Sequence, residues 1–303
     1  MKIVNLNEHP EFFRGCGAPG RRMTDKLVEL FSTADKYLWR ALCPSGVRLD
    51  FITDSEVIEY SLAFGKPVRQ IFTSDIFVDG ELTTVDGAGP HLITLKPGRK
   101  HIVIHLPHLV VLEKVGLKIS DDAEIAAAEV PEKRLLVCGD SICQGMTTST
   151  PSNALVPLTA AALKMDFINT SVGGARMSAE HLKYTMEISG DILVLALGVN
   201  DAIGKVSYNE FRTKTEETFA AMAEFAGKKL VILPIPNVAA STPDLAVYRE
   251  IIRFVAAAYP QIKLLDGYEF FPAKAELYRD NTHPNDEGSK IYAKALINAI
   301  ETL

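Results

Sequence analysis

Cysteine is scarce in this chain: four in 303 residues (Cys16, Cys43, Cys138 and Cys143), none of them in a CxxC pair. That excludes a disulfide framework, a zinc ribbon and a thioredoxin-type redox site, and the expected state is four reduced thiols. Basic residues are also in the minority, 32 Lys and Arg against 38 Asp and Glu, for a net charge of −6. A net-acidic chain with no basic run carries no electrostatic footprint for nucleic acid or for an anionic membrane surface. No stretch approaches the roughly 18 consecutive apolar residues of a membrane-spanning helix. Residues 1–10 show neither the apolar run nor the small-residue cleavage site of a signal peptide, so the expected location is cytoplasmic. Sequence repeats are missing as well. What is present is the balance of an ordinary globular protein, 47% apolar and 23% charged, long enough for two domains with sizeable cores.

The two halves follow different periods. Between Gly46 and Ile119 apolar residues alternate with polar ones: Val47, Leu49 and Phe51, then Ile58, Tyr60, Leu62 and Phe64, then Ile102, Ile104 and Leu106. Alternation marks strands with one face on a core and the other toward solvent or a neighbour. Asp79-Gly80 between two such runs is a hairpin signal, because both residues tolerate positive φ. Short strands at close spacing with no helical pattern between them predict an antiparallel β-sandwich over residues 1–130. Ahead of it, Asp25 to Trp39 is compatible with one helix capped by Thr24.

From Lys133 onward, nearly continuous apolar runs alternate with helical periods. The runs are Leu135–Cys138, Phe167–Thr170, Ile192–Leu197, Leu230–Leu233 and Ile262–Leu265; the helices are expected over Asn153–Lys164, Ala179–Ile188, Tyr208–Ala226, Asp244–Tyr259 and Asp286–Glu301. This pattern predicts a doubly wound α/β domain over 131–303, its parallel strands buried on both faces. The link is the acidic, alanine-rich stretch from Asp121 to Glu132.

In open α/β sheets ligands bind at the carboxyl ends of the strands. Four polar segments fall at that edge: Gly139-Asp140-Ser141 after the first strand, Ser171-Val172-Gly173-Gly174 after the second, Gly198-Val199-Asn200-Asp201 after the third, and Asp280-Asn281-Thr282-His283 before the last helix. Together they hold what acyl transfer requires. Ser141 offers a hydroxyl at a strand-to-helix turn, where the helix N-terminus favours negative charge. A serine is a weak nucleophile without a base, and His283 is the candidate. Asp280, three residues earlier, fixes the imidazole tautomer, although a backbone carbonyl is an alternative partner. The backbone N–H groups of Ser141 and Gly174 and the amide of Asn200 supply three donors for an oxyanion hole. Taken singly, each has a plainer reading: Ser141 and Asp140 as helix caps, His283 as a helix-turn histidine, Asp201 as a loop brace. Their joint occurrence at one sheet edge favours the catalytic reading.

These segments resemble the four blocks of the SGNH (GDSL) hydrolase superfamily, its letters falling on Ser141, Gly174, Asn200 and His283, with Asp280 completing a DxxH pair. The resemblance covers Arg134 to Leu303 and implies a flavodoxin-like α/β fold and a serine acyl-transfer activity without metal or other cofactor. The sandwich in front is similar to that of members that include carbohydrate esterases and an acyltransferase of polyketide tailoring. Pro44-Ser45-Gly46-Val47-Arg48-Leu49 and His283-Pro284-Asn285-Asp286-Glu287-Gly288 look most like the latter. Three positions depart from the family pattern. Ser171 replaces a glycine, Cys143 a frequent threonine, and Asn281 a glycine whose left-handed conformation asparagine tolerates.

The expected function is therefore a serine esterase that removes a small acyl group, acetyl first, from a hydroxylated small molecule such as a carbohydrate. O-acyl transfer through the same Ser-His-Asp set is the alternative, and a carbohydrate-binding protein with a relic site is the alternative from another class. A G-x-S-x-G elbow is missing, which disfavours an α/β-hydrolase, and residues 139–145 contain no dinucleotide or P-loop signature. His101, His105 and His108 have ligand spacing only on a helix, which their alternation and Pro107 argue against, so no metal is expected. Neither nucleic acid nor membrane is an expected partner, and a homo-oligomer is compatible with the sequence.

Overall fold

The alternating segments of the first half form two antiparallel sheets in the computed structural model, which describes residues 1–237 and 245–303. In chain order the strands are β1 (Lys2–Val4), β2 (Phe13–Arg14), β3 (Arg48–Thr53), β4 (Val57–Pro67), β5 (Thr73–Val78), β6 (Glu81–Asp86), β7 (His91–Thr94), β8 (Lys100–His105), β9 (Val110–Ile119) and β10 (Ile125–Ala127). One sheet runs β1-β9-β4-β7 and the other β10-β3-β8-β5-β6, with β2 against β3. Their inward residues, among them Leu49, Phe51, Ile58, Tyr60, Ile76, Ile102 and Leu117, make one apolar core between the sheets. The Asp79-Gly80 turn closes β5 onto β6 with φ of 48° and 87°, as the sequence predicts.

The segment before the sandwich departs from the single helix expected over 25–39. Thr24 does cap helix α1 (Asp25–Leu30), accepting from the Leu27 N–H, but the chain then makes a short 3₁₀ turn and is extended at Ala34 before α2 (Asp35–Leu42). Ser32 explains part of the break: its hydroxyl donates to the Glu29 carbonyl and satisfies a helix end locally. Burial supplies the rest. Leu27, Phe31 and Ala41 do not join the sandwich core; they pack in the cluster of the second half with Leu182, Leu193 and Leu195.

Five parallel strands form that second half: β11 (Arg134–Gly139), β12 (Asp166–Asn169), β13 (Ile192–Ala196), β14 (Lys228–Leu233) and β15 (Lys263–Asp266), in the order β12-β11-β13-β14-β15. Helices α3 (Ser141–Gln144), α4 (Leu155–Leu163), α5 (Ala179–Met186), α6 (Val199–Ile203), α7 (Tyr208–Ala223), α8 (Leu245–Ala256), α9 (Gly267–Phe270) and α10 (Asp286–Glu301) lie between and after them. Asp244, expected to begin the eighth helix, lies outside the described residues. Successive strand residues serve opposite faces: Leu136, Leu193 and Val231 join one core, Leu135, Val194 and Leu230 the other. That double burial is why the strands read as continuous apolar runs. Among the described residues no helix is long and apolar enough to cross a membrane.

The outer face of β3 at Arg48 is covered by this second half, which is why Arg48 is buried although it alternates with core residues; Asp50 is covered from within the first half, by Arg14 and His101. Arg48 lies over the Phe167 ring at 4.4 Å and donates to Asp166 Oδ1 at 2.8 Å, while Arg134 holds the other carboxylate oxygen, also at 2.8 Å. Burial pushes the Asp166 carboxyl up, but the two guanidinium groups outweigh it and hold it below its ordinary value. A depressed carboxylate contributes stability above its unfolded pKa of about 4 and loses it as pH falls through the folded value. Breaking a buried pair costs about 3–5 kcal/mol, and Arg134 remains as a second partner, so Arg48→Met is expected near the lower end at pH 7. Urea unfolding checks this. The gap between variant and wild type is expected to narrow at pH 3, and a gap independent of pH would assign it to lost packing on Phe167.

Candidate active site

Strand β11, second in the sheet, delivers Ser141 to the carboxyl edge at the point where the crossovers to β12 and β13 diverge. Gly139 ends the strand where a side chain would not fit, since a Cβ would lie 2.8 Å from Ser171 Oγ and 2.9 Å from Cys143 Cβ. Asp140 then caps α3 by accepting the Ile142 N–H at 2.9 Å. Ser141 follows as the first helical residue. The helix is a single turn, stopped by Gly145 at φ 78°, so the expected help from a helix dipole is small. Negative charge at this place must rely on individual N–H donors. Cys143 is buried, and burial raises its thiol well above the usual range, which makes it packing material rather than a second nucleophile.

The loop before α10 brings His283 and Asp280 to the serine. Ser141 Oγ is 2.7 Å from His283 Nε2, and His283 Nδ1 is 2.9 and 3.0 Å from the two Asp280 oxygens. Asp280 Oδ1 also accepts the backbone N–H groups of Thr282 (2.9 Å) and His283 (2.8 Å). Burial pushes the Asp280 carboxyl up, yet these N–H bonds and the imidazole hold it below its ordinary value. It is therefore ionised wherever the imidazole needs an acceptor. The turn is fixed from outside: the Arg279 N–H donates to the His283 carbonyl, Thr147 Oγ1 to the Pro284 carbonyl, and the Ser149 N–H to Asp286 at the start of α10. Asn281 is not needed for a left-handed step, because among the described residues only Asp79, Lys164 and Lys205 are non-glycines with positive φ.

The donor segments are tied to one another and to the serine. Gly174 has φ 85°, and a Cβ there would lie 2.8 Å from the Tyr37 ring. Asn200, in α6, spends one amide N–H on the Ala175 carbonyl at 3.0 Å and keeps the second. Asp201 beside it accepts the Met177 N–H at 2.9 Å, bracing the loop that carries Gly174. Burial pushes the carboxyls of Asp140 up to about 7 and of Asp201 to about 6. No hydrogen-bond acceptor among the described residues faces the N–H of Ser141 or of Gly174.

Sequence reasoning missed the residues that carry this assembly. Gln144, at the far end of the turn that starts with Ser141, accepts the Gly173 N–H at 2.7 Å and donates to the Arg40 carbonyl at 2.8 Å and to Ser45 Oγ at 3.2 Å. Arg40 donates to the Gly173 carbonyl at 2.8 Å. Arg22 reaches the carbonyls of Asn169, Ser171, Arg40 and Ala41. Only Gln144 had a signal, its place three residues after the serine on the same turn. The three clustered histidines separate: His101 pairs with Asp50, His105 is buried against Phe77, and His108 donates to the Gly145 carbonyl.

A cavity of about 840 Å³ opens beside Gly174, lined by Phe31, Tyr37, Met177, Tyr184, Arg176 and Lys214 among others. A second, of about 960 Å³, lies between the sandwich and the α1–α2 segment and includes none of the serine, histidine or donor residues.

Residues 137–291 match the profile of the GDSL-like lipase/acylhydrolase family. Over nearly its whole length the chain is similar to a salicylyl acyltransferase from a tetracycline biosynthetic pathway, at 22% identity and a TM-score of 0.81, covering 96% of this chain and 95% of that one. A structure from Bacteroides ovatus ATCC 8483 designated a GDSL-like lipase is similar at 19% identity and a TM-score of 0.83, covering 99% and 98%. A family two carbohydrate esterase from Clostridium thermocellum, in complex with cellohexaose, is similar at 14% identity and a TM-score of 0.65, covering 88% and 98%. At these identities the likeness is one of fold, an antiparallel β domain followed by a five-stranded parallel sheet. No curated protein matches the chain.

Proposed function

This chain belongs to the GDSL-like lipase/acylhydrolase family, and on that premise we propose that it is a serine esterase, which removes a small acyl group, acetyl first, from a hydroxylated substrate such as a carbohydrate. The observation that carries this reading is the unbroken line of hydrogen bonds from Ser141 Oγ through His283 to Asp280. Ser141 Oγ attacks the ester carbonyl as His283 Nε2 takes its proton, and the charge on the carbonyl oxygen is met by the N–H groups of Ser141, Gly174 and Asn200. The carbon–oxygen bond to the alcohol then breaks, and His283 returns the proton to the leaving alkoxide. Water attacks the acyl-serine with His283 again as base, the acid departs, and Ser141 regains its proton. A protein whose only task is to hold sugar has no use for a desolvated serine against an oriented imidazole.

The test is release of nitrophenol from nitrophenyl acetate, followed by a screen of acetylated sugars. No turnover on any short acyl ester would sink the reading. One feature favours a second outcome: the chain is similar over nearly its whole length to a salicylyl acyltransferase. An alcohol in place of water on the acyl-serine makes the same groups an O-acyltransferase, and adding acceptor alcohols while measuring the ester-to-acid product ratio decides between them.

Asn200 supplies a further prediction. Its amide bond to the oxyanion strengthens as charge develops, so it acts on the transition state more than on substrate binding. Asn200→Ala is expected to lower kcat by ~100–1,000-fold, or about 2.7–4 kcal/mol, with KM nearly unchanged. Loss of the bond to the Ala175 carbonyl removes about 1 kcal/mol of stability as well. Wild-type kcat in a folded variant would remove Asn200 from the oxyanion hole.

A further inference from the structure

The peptide unit joining Gly173 to Gly174 has a carbonyl at one end and, at the other, the N–H offered to the oxyanion; being planar, it turns as one body. Glycine stands on both sides of it, so no side chain of its own restrains that rotation. The restraint comes from elsewhere. Arg40, on helix α2, donates its Nη1 to the Gly173 carbonyl at 2.8 Å, and Gln144 accepts the Gly173 N–H at 2.7 Å. The neighbouring space is closed too, since a Cβ at Gly173 would come within 3.2 Å of Arg40 Cδ, and one at Gly174 within 3.1 Å of Arg40 Nη1.

We propose that Arg40 is a positioning residue for acyl transfer, which by gripping the Gly173 carbonyl aims the Gly174 N–H at the developing oxyanion. The proposal rests on the serine-esterase reading above. A charged donor on the carbonyl also polarises the shared peptide, making its N–H a stronger donor at the moment charge appears on the substrate. The guanidinium suits the task because it is always charged and presents its N–H groups in a fixed plane. A role confined to joining the two halves of the chain does not account for the contact. That joining uses the backbone of residue 40, whose carbonyl accepts from Arg22 at 2.6 Å and from Gln144 at 2.8 Å, bonds that outlast any change of its side chain.

The experiment compares Arg40→Met, Arg40→Gln and Ser141→Ala with wild type on a short-chain aryl ester, reading kcat, KM, melting temperature and affinity for an alkyl boronic acid that mimics the tetrahedral adduct. Misplacing a reacting group costs up to ~100-fold. Arg40→Met is expected to lose roughly ten- to a hundredfold in kcat, with little change in KM or melting temperature, and to bind the boronate more weakly by a similar factor. Arg40→Gln, whose stem is too short to span to the carbonyl, is read the same way should the methionine variant misfold. Wild-type kcat in either folded variant overturns the proposal, as does a loss confined to KM. If Ser141→Ala is inactive while both Arg40 variants turn over normally, only the positioning role fails; if Ser141→Ala is active, the esterase reading itself fails.

Discussion

Ser141→Ala is expected to extinguish hydrolysis of short acyl esters, by about a million-fold, the scale on which a triad serine contributes. No other hydroxyl stands within hydrogen-bond distance of His283 Nε2 among the described residues, so none takes over. The same substitution should leave folding almost untouched. It removes one oxygen from a largely buried position and one hydrogen bond, worth about 1 kcal/mol. Measuring kcat alongside the melting temperature separates the two effects. Activity within tenfold of wild type would place the nucleophile elsewhere.

Asp280→Asn is expected to be nearly as damaging, at about 10⁴-fold in kcat, with a nearly normal melting temperature. Asparagine keeps an oxygen for the N–H groups of Thr282 and His283, so the turn survives. Its amide nitrogen then faces His283 Nδ1 and forces the proton onto Nε2, the atom that must accept from Ser141. The variant thus holds the right shape with the wrong tautomer. Asp280→Ala serves as the contrast, since it also strips the two backbone N–H groups of their acceptor and should lower stability together with rate. An Asp280→Asn enzyme turning over within tenfold of wild type would mean that another group orients the imidazole.

The sequence discloses what is local. Strands buried on both faces leave continuous apolar runs, so the parallel sheet is legible from Leu135 onward, and Asp286–Glu301 is a helix over the expected span. The Asp280–His283 contact is legible because its partners sit three residues apart on one turn. Arg22 and Arg40 were not, because their partners are backbone carbonyls, those of Asn169, Ser171 and Gly173 more than a hundred residues away, and a carbonyl is the same in every residue. The break at Ala34 escaped for a related reason: propensity over 25–39 says nothing of the apolar seat that Phe31 takes in the other half. The outer face of β3 reads as solvent-facing or covered alike until the fold supplies the cover.

Arg22 has a bearing on how such a chain changes over generations. Nearly fully buried, its guanidinium pushed down to about 10 by burial, it meets four carbonyls, two from each half, and, among the described residues, no carboxylate. A lysine has neither the reach in two directions nor the five donors to replace it. Exchange of the whole front half for that of another chain is therefore constrained here. A graft that replaced everything before residue 131 would strip the Asn169 and Ser171 carbonyls of their donor and empty the seat of Leu27 and Phe31. A viable recombinant would have to inherit residues 22–42 together with the parallel sheet, so the inheritable unit is discontinuous along the chain, and a single crossover at the acidic link does not suffice.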